Sequence, residues 1–408
     1  MVSADRADGP PDIDHGAAGT PAEQVKAGSP RISGQGTGGR GVVDRQAERR
    51  LIFGKGAKRP LVSDDRAGSP IVVDLHVHFG SPRDEASGCF WSEKFEQTAA
   101  YAAMLLLTRN LFRKIRYSTV LGHLTRVIRR SRYVDQCVLL ALDQVYDGQG
   151  KARPEWTHLH VPNRCIAGIA AADPRILFGA SVHPLRPDWE EELDSSLERG
   201  AVLCKWIPSA QKIDFKAARP MNRFYRRLAD SRLPLLCHAG PEYSIPSAFS
   251  EAEAHAANNP ENLRPALEAG VIVVIAHCAL PYFCVFDRPY EDDFRNFLGL
   301  FNQSASKGWN LYADLSALTG FFRLPYVRDE ILRLPHERLL MGSDYPIPIS
   351  ELSHNRRTDF FSWLRFVLKM MRLKNPLDKN FKIIKAMGFD PALFTNAAGL
   401  FEKIRSRA

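Results

Sequence analysis

From Ile71 onward the chain alternates short, almost unbroken apolar runs with longer stretches of helical spacing. Eight such runs recur: Ile71–His78, Val134–Leu142, Ile176–His183, Ala201–Ile207, Leu233–Ala239, Val271–His277, Leu311–Ser316 and Leu339–Asp344. A strand with one wet face alternates apolar and polar residues. Val271-Ile272-Val273-Val274-Ile275-Ala276 does not, which marks a strand buried on both faces. Eight buried strands, each followed by a helix, over a span close to the usual ~250 residues predict a (β/α)8 TIM barrel across residues 70–408. Between the first two strands, residues 81–132 predict a helical insertion with Leu121, Leu124 and Ile128 as its apolar positions. Because it leaves the C-terminal end of the first strand, it lies on the face where barrel active sites form, fit to act as a lid or a partner surface. Helices over Asp359–Met371 and Pro391–Ile404 close the barrel, with Thr395 or Asn396 placed to cap the last.

Residues 1–69 break this pattern. They hold 12 of the 28 glycines and a single aromatic, Phe53. Such a segment buries too little apolar surface to offset its ordering entropy, which predicts a disordered tail outside the fold. The most apolar windows, Ala99–Leu107 and Val271–Leu280, are far shorter than the ~20 residues a membrane span requires. No secretory apolar region follows Met1, so a cytoplasmic protein is expected. The seven cysteines include no CxxC pair, and several sit inside apolar runs, as small buried hydrophobes do in a reducing compartment. The net charge of +9 is concentrated in residues 95–133, with 8 basic and 1 acidic residue, and in 351–408, with 12 and 5. Nucleic-acid binding calls for such charge interleaved with exposed aromatics or carried on a recognisable module; neither is expected here, so both segments read as solvated helix faces.

Candidate chemistry falls at the strand ends. In Asp74-Leu75-His76-Val77-His78, alternation along an extended chain points His76 and His78 the same way, so that two imidazoles can serve one metal ion. Lys205 lies in the fourth run, His238 ends the fifth, His277 the sixth and Asp344 the eighth. In a barrel these ends converge on one rim. Burying so many ionisable groups together is unfavourable without a compensating ion. His183 and Glu242 follow strand ends and are candidates for the substrate pocket, while Asp74 belongs behind the ligands or on the opposite face. A second triplet, His158-Leu159-His160, precedes Val161-Pro162-Asn163 and reads as a surface approach to a helix rather than a ligand pair.

The order of these residues, together with Gly342-Ser343-Asp344-Tyr345-Pro346, Ser181-Val182-His183-Pro184 and Asn396-Ala397-Ala398-Gly399-Leu400-Phe401, resembles the amidohydrolase superfamily. Within it the likeness is to the amidohydrolase-related branch, which also holds enzymes of the aminocarboxymuconate-semialdehyde decarboxylase type. The resemblance implies metal ligation by His76, His78, His238 and Asp344, with zinc the expected ion. His277 is then a second-metal ligand or a proton-handling residue, and Asp344 the catalytic proton shuttle. A second ion requires CO2 carried on Lys205. The implied reaction is metal-dependent hydrolysis of an amide, ester or lactone bond. The alternative is a lyase that removes CO2 from an unsaturated or aromatic acid, and a barrel without catalysis is a third reading. The implied partner is a small molecule, an anionic one included, with homo-oligomers left open and neither nucleic acid nor membrane expected.

Overall fold

A computed structural model describes residues 70–107, 115–281, 289–320, 325–353 and 359–406. The expected disordered tail, three of the insertion's basic residues (Arg109, Arg113 and Lys114) and one of the seven cysteines, Cys284, lie outside these residues. Eight parallel strands pair in chain order: β1 (Val73–His78), β2 (Gln136–Leu140), β3 (Ile176–Ala180), β4 (Ala201–Trp206), β5 (Leu235–Cys237), β6 (Val273–Ile275), β7 (Leu311–Asp314) and β8 (Leu339–Leu340). Backbone bonds then join the last strand to the first. The Leu75 N–H donates to Met341 O at 2.9 Å, Asp344 N–H to His76 O at 2.9 Å and His78 N–H to Tyr345 O at 2.8 Å. The ring therefore closes, and the expected (β/α)8 barrel is the observed fold.

Two apolar layers hold it. Val73, Leu75, Val138, Leu140, Leu203, Leu236, Val274 and Leu340 come from six strands around the ring and form one cluster, which they can do only inside it. Gly179 lies among them because a Cβ there would sit 2.7 Å from the Leu140 side chain. Ala397, Leu400 and Phe401 of the helix Asn396–Arg405 join the same cluster at the N-terminal end of the strands and floor the barrel. The outward residues, such as Cys137, Cys204, Trp206, Cys237 and Ile275, pack with the surrounding helices. This places the described cysteines as buried hydrophobes. Thr395 does precede the last helix, but its hydroxyl bonds back to Ala392 O, and Asn396 donates to His336 O and Leu339 O. Neither caps as the sequence predicts.

The insertion folds as expected into helices, among them α1 (Ala99–Leu107) and α2 (Tyr117–Arg129). On α2, Val120, Leu121, Leu124 and Ile128 recur at helical spacing and are buried, while Arg126 and, just past the helix end, Arg130 are exposed. His158 and His160 depart from the sequence reading. Leu159–His160 pairs antiparallel with Phe90–Trp91, and both histidines are buried. His158 Nδ1 meets Ser92 Oγ at 2.9 Å and His160 Nδ1 meets Leu142 O at 3.0 Å. This ribbon ties the insertion to the barrel wall, and its histidines are structural. Among the described residues no helix is long and apolar enough to cross a membrane.

Candidate metal centre

The first strand contains a phase slip. Leu75 belongs to the inner cluster, whereas Val77, two residues on, belongs to the outer one. Unbroken alternation would place both on one face. The register of β1 against β2 shifts between Asp74 and Val77, which supplies the extra residue. His76 and His78, opposite the outward Val77, therefore point into the rim. Asp74, before the slip, does not join them. Its Oδ1 accepts from the His76 N–H at 3.2 Å and the Ser343 N–H at 2.9 Å, pinning β1 to the end of β8. Burial raises its pKa to about 7.

Three ligand atoms converge at the rim. His76 Nε2 and His78 Nε2 lie 3.0 Å apart, and Asp344 Oδ1 stands 3.4 Å from the first and 3.1 Å from the second. Among the described residues this is the one group of three His, Cys, Asp or Glu ligand atoms close enough to share an ion. The backbone of Asp344 is left-handed, with φ 59°, a conformation unusual for a residue with a side chain. Gly342 lets β8 approach: a Cβ there would lie 3.0 Å from both His76 Cβ and Ser316 Cβ. Burial opposes ionisation of Asp344, but the His76, His78 and His277 rings outweigh it and hold its carboxyl well below the usual range.

Asp314, at the end of β7, is the residue that sequence reasoning missed. It is fully buried, and its Oδ2 lies 2.8 Å from His76 Nδ1. With the Nδ1–H donating to that oxygen, the lone pair of Nε2 is free to ligate. The other oxygen accepts from the His277 N–H at 2.8 Å, the Ser316 N–H at 2.9 Å and the Ser316 hydroxyl. A signal was present, since Asp314 is a carboxylate within the apolar run Leu311–Ser316, and the observed strand ends at it as β5 and β6 end just before His238 and His277.

The remaining expected residues divide. Lys205 is buried with Nζ 3.3 Å from His76 Nε2, and burial pushes its ammonium pKa down. His238 and His277 form their own pair, Nδ1 to Nε2 at 3.0 Å, with the His277 ring stacked 6.3 Å from that of His76. Glu242 joins this pair, its Oε2 3.4 Å from His238 Nδ1. His183 does not. Its Nε2 meets Gln211 O at 3.0 Å and its Nδ1 accepts from the Leu185 N–H at 3.1 Å, so both ring nitrogens are spent on main chain. Burial lowers its pKa to about 3.

A parallel barrel with imidazoles and carboxylates gathered at the C-terminal ends of its strands has the architecture of the (β/α)8-barrel enzymes. More narrowly, the amidohydrolase family model matches residues 73–369, and the chain belongs to that family. An uncharacterised TIM-barrel protein from Bordetella bronchiseptica superposes with a TM-score of 0.51 at 14% identity, covering 82% of this chain and 98% of that one. The 4-oxalomesaconate hydratase of Rhodopseudomonas palustris gives 0.42 at 13% identity, covering 83% and 99%. The L-hydantoinase of Arthrobacter aurescens gives 0.33 at 12%, covering 67% and 57%. No curated protein matches the sequence.

Proposed function

We propose that the chain is a metal-dependent hydrolase that cleaves an amide, ester or lactone bond of a small molecule. The observation that carries this reading is the His76–His78–Asp344 triangle, with the far nitrogen of His76 tied to a buried carboxylate. Ligands ~2.1 Å from one ion in a tetrahedral array stand about 3.4 Å apart. The triangle, at 3.0, 3.1 and 3.4 Å, fits that spacing, and two neutral imidazoles with one carboxylate suit zinc. His238 is the further ligand this reading calls for; it stands outside the triangle, its Nδ1 3.0 Å from His277 Nε2 and its Nε2 3.3 Å from Gly240 O, and must exchange one of these contacts to ligate.

A divalent ion held there supplies Lewis acidity, bringing the pKa of water from 15.7 to about 7. The residues then divide the proton work. Asp344, ionised at neutral pH, accepts the proton of the attacking water and returns it to the leaving atom. His277, fixed through its ring to His238 and through its backbone to Asp314, polarises the oxygen of the reacting carbonyl. Glu242, buried beside His238, orients substrate.

A second reading, non-oxidative decarboxylation at a one-ion site, draws on Lys205, whose amine lies 3.3 Å from a proposed ligand nitrogen. Carboxylation of that amine would instead support two ions. Elemental analysis with intact mass distinguishes them: bound divalent ion and a mass increment of one CO2 favour the two-ion hydrolase. His238→Ala is expected to lower bound metal and abolish turnover. Purified protein that is folded, holds no metal and turns over no ester, lactone, amide or unsaturated acid would refute the assignment.

A further inference from the structure

Beside His78 lies a cavity of about 70 Å³ that the rim chemistry does not use. Its lining is mostly apolar, and to it the insertion gives His123 and four hydrophobic side chains, Phe95, Met104 of α1, and Val120 and Leu124 of α2. All four are buried. On the barrel side the wall is His78 itself and Tyr345, which follows Asp344 and whose carbonyl accepts from the His78 N–H. One feature of this wall points to a ligand. Tyr345 lines the cavity and is only 4% exposed, and its buried hydroxyl has no hydrogen-bond partner among the described residues. A buried donor left unpaired is destabilising, and such groups are rare in folded proteins unless something is meant to meet them.

Size and chemistry together define the occupant. A water needs roughly 10–15 Å³ of such space, so about 70 Å³ holds about five heavy atoms. Apolar walls favour carbon over water, and the phenol favours one acceptor. We propose that this cavity is the substrate-recognition pocket of the enzyme, taking a short aliphatic group of about five heavy atoms that carries one hydrogen-bond acceptor for Tyr345. The insertion after β1 thereby sets the chain length of the substrate. This rests on the metal-site reading above.

The test uses binding rather than turnover. Aliphatic hydroxamates from acetohydroxamate to octanohydroxamate, which chelate a metal and trail an alkyl tail, are titrated calorimetrically into full-length, metal-loaded protein. Affinity is expected to rise about fourfold per methylene and to stop rising once the tail reaches about five heavy atoms. Val120→Ala moves the plateau to a longer tail, and Val120→Phe moves it to a shorter one. Tyr345→Phe weakens 4-oxopentanohydroxamate about fivefold relative to pentanohydroxamate, whereas a merely structural role for the hydroxyl would change both equally. Hydroxamate binding with a flat length profile, or a plateau unmoved in both Val120 variants, overturns the pocket alone. Failure of every hydroxamate to bind protein of confirmed metal content overturns the metal site and the pocket with it.

Discussion

Replacing Asp314 with asparagine removes one charge from the barrel and almost no volume. Its Oδ1 accepts three hydrogen bonds, from the His277 and Ser316 backbones and the Ser316 hydroxyl. The asparagine oxygen is held on that side. The amide then presents N–H, rather than an acceptor, to His76 Nδ1, which lies 2.8 Å away in the native protein. Nδ1 keeps the Ser316 hydroxyl 3.0 Å away as its other neighbour, but the facing amide N–H favours a lone pair on Nδ1 and so a proton on Nε2, the atom that faces His78 and Asp344. A protonated Nε2 cannot ligate. Loss of such an orienting carboxylate typically weakens metal binding 10- to 100-fold, which is about 1.4–2.8 kcal/mol. Competition against a chromophoric chelator measures this directly, with circular dichroism confirming that the variant is folded. A folded Asp314→Asn protein that binds metal as tightly as the native one would show that His76 is not held as a ligand.

Asp344→Asn is expected to lower kcat far more than it changes substrate affinity, since the amide cannot take a proton from water; unchanged turnover would remove Asp344 as the shuttle. Acid should destabilise the fold through His160, whose folded pKa burial lowers to about 4 against 6.5 when unfolded. The unfolded chain binds the extra proton in that window, so stability is complete above pH 6.5 and falls as the pH drops toward 4, by at most about 3 kcal/mol. In denaturant titrations across this range, His160→Asn, whose amide can still donate to Leu142 O, should flatten the slope, and an unaltered slope would reject the assignment. Deleting residues 1–60 should leave the melting temperature where it is, a marked drop showing that this segment packs.

Much of the barrel was legible because strands buried on both faces lose their polar alternation, and so the eight apolar runs stood out from the helices between them. The rim was legible for the same reason. A histidine or aspartate at or near the end of an apolar run has few structural explanations, and His76, His78, His238, His277 and Asp344 stand out that way, while Lys205 stands out as a cation inside such a run. Asp314 obeys the same rule but sits before Leu315-Ser316 without a neighbouring histidine to draw attention to it. The phase slip in β1 was hidden, since it depends on backbone bonds to Met341, Asp344 and Tyr345 far along the chain. The ribbon at Leu159–His160 was hidden likewise. Two residues carry no periodicity, and only their partner at Phe90–Trp91 makes them a strand.

The closure between β1 and the segment after β8, floored by Asn396–Arg405, makes assembly a late event. Val73 and Leu75 acquire their inner neighbours from β8 and from Leu400 and Phe401 only after those residues have been synthesised. At about 5–20 residues per second, the first strand waits on the order of half a minute with its apolar side uncovered. Until then it is a sticky edge, and chaperone dependence during translation should track the emergence of the final helix.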